Sequence, residues 1–378
     1  MASIKSIKIK EVDKAKRIVI KVGSSLLVDN TTGRINTKWV KSFANNIEYL
    51  IKKNKEILIV SSGAIALGKN ELRLKKKSLK LNEKQAAAAT GQIVLAKVWK
   101  NIFEKINIKC AQILVGHSDL EIRKNAMNTR TTLITLLELK AIPIINENDT
   151  VATQEIRYGD NDQLAARIAH LLEAEVLILL SDIDGLYNED PRKNKNAKFI
   201  PKVENINKKI EIMGKNTKSN IASGGMTTKI KAAKISTSGG CDLIISDGTK
   251  QNSLMKLING GRYTIFKANL SPKSGRKKWI LSKRNRLKYI IIDEGAQNAL
   301  KSGKSLLSAG IINASNNFNR GETVNIISKS KNVLGCGIIA YDSTEIKIIS
   351  GKHSKNIEKL LGYKGKAEAI HRDDMVVD

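Results

Sequence analysis

The stretch RIVIKVGSS, residues 17–25, decides how the first domain of the chain is built. Arg17–Val22 is a largely apolar, strand-forming run, and Gly23 followed by two serines then breaks it. Apolar side chains on consecutive positions are typical of a strand with both faces covered, as in a parallel sheet flanked by helices. The stretch therefore predicts an inner strand of an α/β sheet that ends in a loop where a ligand could bind.

Outward from this strand, β-type runs alternate with helical patterns. The predicted strands are Glu56–Ser61, Cys110–Val115, Ile142–Asn146, Glu175–Asp182 and Asp242–Ser246, and the predicted helices are Thr37–Lys53, Asn82–Lys105 with Asn82 as N-cap, Lys124–Lys140, Asn161–Glu173 and Met226–Ser236. Such alternation predicts an α/β fold, a three-layer αβα sandwich with a mostly parallel sheet. We assign it to residues 17–270, after a short basic N-terminal extension over residues 1–16.

The pattern changes after residue 270. Residues 271–288, SPKSGRKKWILSKRNRLK, contain eight basic and no acidic residues and are predicted to be a basic linker and the start of a tail domain. Short β-type runs follow at Tyr289–Asp293, Thr323–Ser328, Gly337–Tyr341 and Glu345–Ile349. Their length and spacing predict a small β-rich domain over residues 289–378.

Size and composition limit the class of protein. With 378 residues, 41% hydrophobic and 27% charged, the chain has the profile of a soluble globular protein of two domains. Three separated cysteines without a C-x-x-C pair argue against a disulfide framework and fit a reducing compartment. The N-terminus has no continuous hydrophobic region and no run is long enough to span a membrane, so we expect a cytoplasmic protein.

The formal net charge is +30, from 66 basic and 36 acidic residues. Such an excess attracts phosphate-bearing partners, from nucleotides to nucleic acids. Most of it is lysine distributed along the whole chain, so charge alone does not select a function. The basic segment 273–288 suggests weak nucleic-acid binding as a minor hypothesis, although Trp279 is its one aromatic residue and stacking platforms are scarce.

The loops after the first two strands suit anions. Lys21 at a strand end, followed by glycine and serines, can hold polyphosphate through its charge and exposed backbone N–H groups. Residues 61–68, SSGAIALG, form a glycine-rich loop that opens a helix, whose first N–H groups have no internal partners. Residues 63–70 nearly match the Walker A motif, but Asn70 replaces the hydroxyl that reaches magnesium, which excludes a P-loop NTPase.

Acidic side chains follow the fourth strand. Asn146–Asp149 and Gly159–Asp162 supply three carboxylates, on Asp149, Asp160 and Asp162. These suit a substrate with an ammonium group or a magnesium complex, although one of them could instead cap the next helix. No His/Cys spacing of a zinc site is present and the four histidines form no cluster, so no protein-held metal is predicted.

The segment 223–229, SGGMTTK, enters a helix with Lys229 in its first turn. Two glycines permit close backbone approach. A lysine there opposes the helix dipole, which is unfavourable unless an anion neutralises it. The segment therefore predicts a phosphate site.

Taken together, these motifs resemble the ordered signature of the amino-acid kinase family. They are Lys21–Ser25, Ser61–Gly68, Ile145–Asp149, Gly159–Asp162, Asp184–Tyr187 with Asp190–Arg192, and Gly224–Lys229. The tail resembles a PUA domain through Asp293–Ala296, Ser305–Leu307, Gly310, Ile311, Phe318–Glu322 and His371–Met375. The resemblance runs from about residue 17 to the end and is strongest to the members that phosphorylate glutamate. Ser25, Ser61 and Thr227 depart from the commonest residues but keep a hydroxyl.

This resemblance implies transfer of the γ-phosphoryl group of ATP, bound with Mg²⁺, to the side-chain carboxylate of L-glutamate, the first step of proline biosynthesis. The implied catalytic residues are Lys21, Lys229 and Asp162, with Asp162 holding the two lysines in place. The implied ATP-binding residues are Lys21, Gly23, Ser181, Asp182, Ser223, Gly224, Gly225, Met226, Thr227, Thr228 and Lys229, and the implied glutamate-binding residues are Ser62, Gly63, Asp149, Asp160 and Asn161.

Two alternatives stay open at this point. Other members of the family phosphorylate acetylglutamate, aspartate, carbamate or UMP, and PUA domains elsewhere accompany RNA modification. The resemblance further implies a homo-oligomer, a dimer or a tetramer.

Overall fold

The computed structural model describes residues 7–29, 31–76, 78–151, 160–215, 225–282, 285 and 287–377. The chain divides into two units, one of Met1–Glu121 with Thr129–Gly275 and one of Ile122–Asn128 with Arg276–Asp378. None of the helices within the described residues is both long enough and apolar enough to span a bilayer.

The strands in chain order are β1 (Arg17–Val22), β2 (Glu56–Ser61), β3 (Lys109–Val115), β4 (Ala141–Glu147), β5 (Val176–Ser181), β6 (Leu186–Tyr187), β7 (Phe199–Ile200), β8 (Lys202–Val203), β9 (Asp242–Asp247), β10 (Tyr263–Phe266), β11 (Tyr289–Ile292), β12 (Leu306–Leu307), β13 (Ile311–Ala314), β14 (Thr323–Ser328), β15 (Val333–Ile338), β16 (Glu368–Ile370) and β17 (Met375–Val377). The α-helices are α1 (Lys10–Lys14), α2 (Ser24–Leu27), α3 (Thr37–Lys52), α4 (Ala64–Glu71), α5 (Leu81–Glu104), α6 (His117–Glu121), α7 (Arg123–Glu138), α8 (Asp160–Leu171), α9 (Lys208–Lys215), α10 (Met226–Ser238), α11 (Ser253–Ile258), α12 (Pro272–Leu281), α13 (Glu294–Lys301), α14 (Ser343–Ile349) and α15 (Ile357–Leu361).

The first unit is built on an eight-stranded sheet in the order β3-β4-β2-β1-β5-β9-β10-β8. Every pair is parallel except β9 with β10. Alternate side chains of β1 enter two separate cores: Ile18 and Ile20 belong to the cluster that includes residues of α3, and Val19 belongs to the cluster that includes residues of α8. The predicted mostly parallel sheet with helices on both faces is thereby confirmed.

Part of the N-terminal segment that we predicted as a basic extension belongs to the core of this unit. Ile7, Ile9 and Val12 are buried against the apolar cluster of the first unit, and the backbone N–H of Lys8 donates to the carbonyl of Ile258 at 2.8 Å. The alternation of lysines with isoleucines hid this role, because the buried half of an alternating segment cannot be recognised before its partner surface is known.

The second unit is rich in β-structure, as predicted. Its main sheet has the order β13-β11-β14-β15-β17, and β12 pairs with β16 in a two-stranded sheet. The strand predicted at Glu345–Ile349 is wrong, since these residues lie in helix α14. The carboxylate of Asp342 accepts from the N–H of Glu345 at 2.9 Å and the carboxylate of Glu345 accepts from the N–H of Asp342 at 2.9 Å. This capping box starts a helix despite the β-type composition.

The segment predicted as a basic linker contains helix α12. Arg276 is 3% exposed and donates to Asp374 at 2.6 Å, and Ile280 is fully buried. A buried guanidinium must be paired, and its partner lies 98 residues downstream. The count of basic residues therefore overstated how much charge this segment offers to solvent.

Helices α4 and α5 touch backbone to backbone at two glycines. A Cβ atom on Gly91 would lie 1.8 Å from the carbonyl oxygen of Ala64, and one on Gly68 would lie 1.7 Å from that of Ala87. Helix α5 starts at Leu81, where the backbone N–H of Lys80 donates to the Glu83 carboxylate at 2.9 Å, so the N-cap predicted at Asn82 is wrong. The glycine contact fixes α4, which begins immediately after the end of β2.

The close approach predicts that Gly91→Ala destabilises the protein. In an ordinary helix interior this change stabilises by about 1 kcal/mol, because alanine has the better helix propensity. Here the new methyl group overlaps backbone atoms that cannot rotate away, and we expect a net loss of about 1–3 kcal/mol. Thermal unfolding measures the change.

Ala89→Gly provides the matched control, since Ala89 is an exposed residue of the same helix. It should lower stability by no more than about 1 kcal/mol, the helix-propensity cost. A Gly91→Ala protein with a midpoint equal to or above that of the unmodified chain would contradict the packing described here.

Candidate active site

The carboxyl ends of four adjacent parallel strands, β4, β2, β1 and β5, meet at one edge of the sheet. Lys21 lies on β1, Ser62 directly follows β2, Asn146 lies on β4 and Ser181 ends β5. In α/β sheets this edge is where ligands bind. Four separate motifs of the sequence are thus brought to one place by strand order alone.

A buried carboxylate joins two amines at this edge. Oδ1 of Asp162 lies 2.6 Å from Nζ of Lys21, and Oδ2 lies 3.3 Å from Nζ of Lys229. The hydroxyl of Thr228 donates to Oδ2 at 2.9 Å. The Asp162 side chain has no exposed surface, and those of the two lysines are 10% and 7% exposed. Strand β1 and helices α8 and α10 therefore converge on a single ionic group.

The charges of this group do not cancel. Burial alone would raise the pKa of the Asp162 carboxyl, but Lys21, Lys229 and its hydrogen bonds outweigh burial and hold that pKa at about 2. Burial lowers the pKa of Lys21; Asp162 opposes that effect and Lys229 adds to it. Asp182 also attracts both amines but is itself paired with Arg192. Among the described residues, basic groups therefore outnumber carboxylates here, which favours a bound anion such as phosphate.

Lys229 lies in the first turn of α10, and the protein itself supplies an opposite charge next to it. Helix α10 begins at Met226 after Gly225, so Lys229 lies at its positive end. Asp162 of α8 neutralises this charge in part. The sequence pattern of this helix start indicated only a phosphate as the compensating charge, and it gave no sign of the hydrogen bond from Thr228 to Asp162.

A second cluster beside the first is made of neutral polar groups. The amide nitrogen of Asn161 donates to Ser62 Oγ at 3.0 Å and to Asn146 Oδ1 at 3.1 Å, and the amide nitrogen of Asn146 donates to Gln92 Oε1 at 2.7 Å. Oδ1 of Asn161 is buried and accepts no hydrogen bond from the described residues. An orphaned buried acceptor is costly, by about 1–3 kcal/mol, so it suits a ligand that donates, such as an ammonium group.

Sequence reasoning missed two members of this second cluster. Asn146 belongs to the motif Ile145–Asp149 but is not among the predicted site residues, and Gln92 lies in none of the predicted motifs. One feature of the sequence could have indicated Gln92: it follows Gly91 on a long helix. A glycine at that point allows the helix to lie close to α4.

The predicted ATP-binding residues after β5 are linked to the motif that follows them. The hydroxyl of Ser181 donates to Asp182 Oδ1 at 3.1 Å, and Arg192 donates to Asp182 Oδ2 at 2.8 Å. Asp190 accepts from the backbone N–H of Arg192 at 3.0 Å and so shapes the turn that delivers it. Burial tends to raise the pKa of the Asp182 carboxyl, but its contacts with Arg192 and Ser181 outweigh burial and lower that pKa.

Other predicted site residues lie around these clusters. Gly63 precedes α4 with φ of 112°, a left-handed conformation that favours glycine, and Gly23 precedes α2 in extended conformation. Met226 is buried, and the hydroxyl of Thr227 donates to the carbonyl of Gly214 at 2.8 Å.

The remaining predicted residues are only partly described. Asp149 is partly buried in the turn after β4. The backbone of Asp160 begins α8, while its side chain lies outside the described part of the structure. Ser223 and Gly224 fall outside the described residues.

Comparisons with known proteins agree on the family. The profile of the amino acid kinase family matches residues 16–247, and that of the PUA domain matches residues 288–361. A protein named glutamate 5-kinase from Bradyrhizobium diazoefficiens is 46% identical over 367 residues, which are 97% of this chain and 98% of that protein. Another of that name, from Brucella abortus, is 48% identical over 369 residues, 98% of this chain and 97% of that protein. The chain therefore belongs to the amino acid kinase family, with a PUA domain in its C-terminal part.

Proposed function

We propose that the protein transfers the γ-phosphoryl group of ATP to the side-chain carboxylate of L-glutamate, giving L-glutamyl 5-phosphate and ADP. This reaction is the first step of proline biosynthesis. The observation that carries the proposal is the convergence of Lys21 and Lys229 on Asp162, beside the buried open acceptor of Asn161. Relatives named glutamate 5-kinase, 46–48% identical over nearly the whole chain, support the choice of substrate.

The two amines would serve the transferring phosphoryl group. Phosphoryl transfer requires positioning and charge neutralisation more than covalent help. A carboxylate of the protein itself, that of Asp162, holds both Lys21 and Lys229, so little reorganisation is needed when negative charge develops. Preorganised donors of this kind are worth about 10²–10³ in rate each. Asp162 would act by holding the lysines in place.

The acceptor needs no general base. A glutamate side chain has an ordinary pKa near 4.3, so its carboxylate is already ionised and nucleophilic at neutral pH. Ser62, Gly63, Asp149, Asp160 and Asn161 would bind the amino acid, with Oδ1 of Asn161 and the carboxylate of Asp149 as partners for its ammonium group. Carboxylate and amide oxygens are the natural acceptors for that group.

The nucleotide would lie between β5 and the start of α10. Gly23, Ser181, Asp182 and the segment 223–229 would surround it, and Mg²⁺ would arrive as part of the ATP complex. A helix start with exposed N–H groups is well suited to phosphate. The lysine within it adds a full positive charge.

A direct assay separates glutamate from the other acceptors. Purified protein with ATP and Mg²⁺ is offered L-glutamate, acetylglutamate, aspartate, carbamate or UMP in turn, and ADP is measured. Hydroxylamine traps the acyl phosphate formed from a carboxylate acceptor. We expect glutamate to give the highest kcat/KM; a clear preference for another acceptor would overturn the proposal.

Three further expectations stay predictions: a homo-oligomer, a cytoplasmic location and weak nucleic-acid binding by the basic segment. For the last, the one aromatic side chain of the segment is already engaged. The guanidinium carbons of Arg123 and Arg276 lie 4.5 and 5.6 Å from the centroid of the Trp279 ring. That leaves less aromatic surface for stacking on bases.

Lys229→Ala should reduce kcat by at least about 10²-fold, because one preorganised positive charge is lost from the transition state. The fold should persist, since Asp162 keeps Lys21 as a partner. Lys231→Ala is the matched control, an exposed lysine of the same helix, and should retain normal turnover. Near-normal turnover in Lys229→Ala would remove this residue from the site.

Asp162→Asn should destabilise the protein in a pH-dependent manner. The folded-state pKa of Asp162, about 2, lies below its ordinary value of 3.8. The ionised carboxylate therefore contributes its full stabilisation, about 2–3 kcal/mol, above pH 4 and loses it as the pH falls toward 2. The gap in unfolding temperature between the two proteins should be widest at neutral pH and shrink on acidification. A gap of constant size from neutral pH to pH 3 would contradict this electrostatic role.

A further inference from the structure

The neutral polar cluster forms a chain of hydrogen bonds with one direction of donation. Asn161 donates to Asn146, and Asn146 donates to Gln92, whose Oε1 is the last acceptor in this chain. Asn161 also donates to Ser62 at 3.0 Å, so both protons of its amide nitrogen are used. Its oxygen is buried and has no donor among the described residues, so it is an open position at the Asn161 end of the chain.

The direction of the chain decides what Asn161 offers to a ligand. An amide group presents either an acceptor or a donor, depending on which of two nearly isosteric orientations it adopts. If Asn146 turned over, it would present its nitrogen to Asn161, and Asn161 would turn as well. The open position would then carry N–H groups, which repel an ammonium group instead of binding it.

The approach of the two helices brings Gln92 within reach of Asn146. Gly91, the preceding residue, lies against the backbone of α4, where an added Cβ would be 1.8 Å from the carbonyl oxygen of Ala64. Gln92 itself is partly buried and contacts Asn146 at 2.7 Å. The pair Gly91-Gln92 thus has two roles, close approach of the helix and delivery of an acceptor.

We propose that Gln92 is a positioning residue that sets the amide orientations of Asn146 and Asn161, and thereby selects acceptor substrates bearing an ammonium group. It acts through Asn146 and does not touch the substrate. This inference rests on the proposed function, because it assigns the open oxygen of Asn161 to the ammonium group of the amino acid.

The test compares L-glutamate with glutarate, which has the same carboxylates and no ammonium group. In Gln92→Leu we expect the KM for L-glutamate to rise about tenfold, the equivalent of one hydrogen bond of about 1.4 kcal/mol. The KM for ATP and the kcat/KM for glutarate should stay within about threefold of those of the unmodified chain, a smaller change than that hydrogen bond implies. The preference for glutamate over glutarate should therefore fall about tenfold.

Gln92→Glu is the conservative variant, since a carboxylate can only accept and so preserves the direction of donation from Asn146. It should restore the preference for glutamate to within about threefold of the original, because the acceptor of the chain is kept. Ile93→Ala is the control on the same helix; Ile93 is 73% exposed, and its truncation should change none of the constants.

Three results would overturn the inference: an unchanged glutamate preference in Gln92→Leu, an equal loss for both acceptors and ATP, or no recovery in Gln92→Glu. The first and third would show that Gln92 does not set the orientations, and the second would indicate general damage to the fold. The unmodified protein distinguishes this failure from failure of the proposed function. If it forms no ADP in response to L-glutamate, the proposed function fails; if it does and the variants do not discriminate, the role of Gln92 alone is refuted.

Discussion

The buried carboxylate of Asp162 is the group on which the site depends. Two ammonium groups from distant parts of the chain would repel each other in a buried position, and Asp162 holds both at once, at 2.6 and 3.3 Å. Asp182 attracts the same two amines but is paired with Arg192, so among the described residues the basic groups outnumber the carboxylates. A phosphoryl group can neutralise this local excess of positive charge.

The sheet and its neighbouring helices determine where that group forms. Parallel strands β1, β2, β4 and β5 bring their carboxyl ends to one edge, and helices α8 and α10 start beside them. On the other side, backbone contact between α4 and α5 brings Gln92 to Asn146. The ionic cluster and the neutral cluster are adjacent in sequence at Asn161 and Asp162, so one turn of α8 contributes to both clusters.

Much of this arrangement was predictable, because it is encoded in local patterns. Strands β1 and β2 have the predicted bounds, and Lys21, Asp162 and Lys229 stand out as charged residues at strand ends or helix starts. The role of Asp162 in holding both lysines was implied by the family resemblance. The features that the sequence did not predict depend on partners far away in the chain. Three of these features are set by tertiary packing: the burial of Ile7, Ile9 and Val12, the pairing of Arg276 with Asp374, and the contact of Gln92 with Asn146. The strand predicted at Glu345–Ile349 was wrong for a local reason, because a capping box starts helix α14 there despite the β-type composition.

The most direct test of the central claim is a crystal structure with ADP, L-glutamate, Mg²⁺ and aluminium fluoride as a mimic of the transferring phosphoryl group. The account predicts that Nζ of Lys21 and Nζ of Lys229 both lie at hydrogen-bond distance, about 3 Å, from the mimic or its bridging oxygens. In the same structure Asp162 should still contact both amines. A mimic bound with either lysine turned away from it would contradict the account.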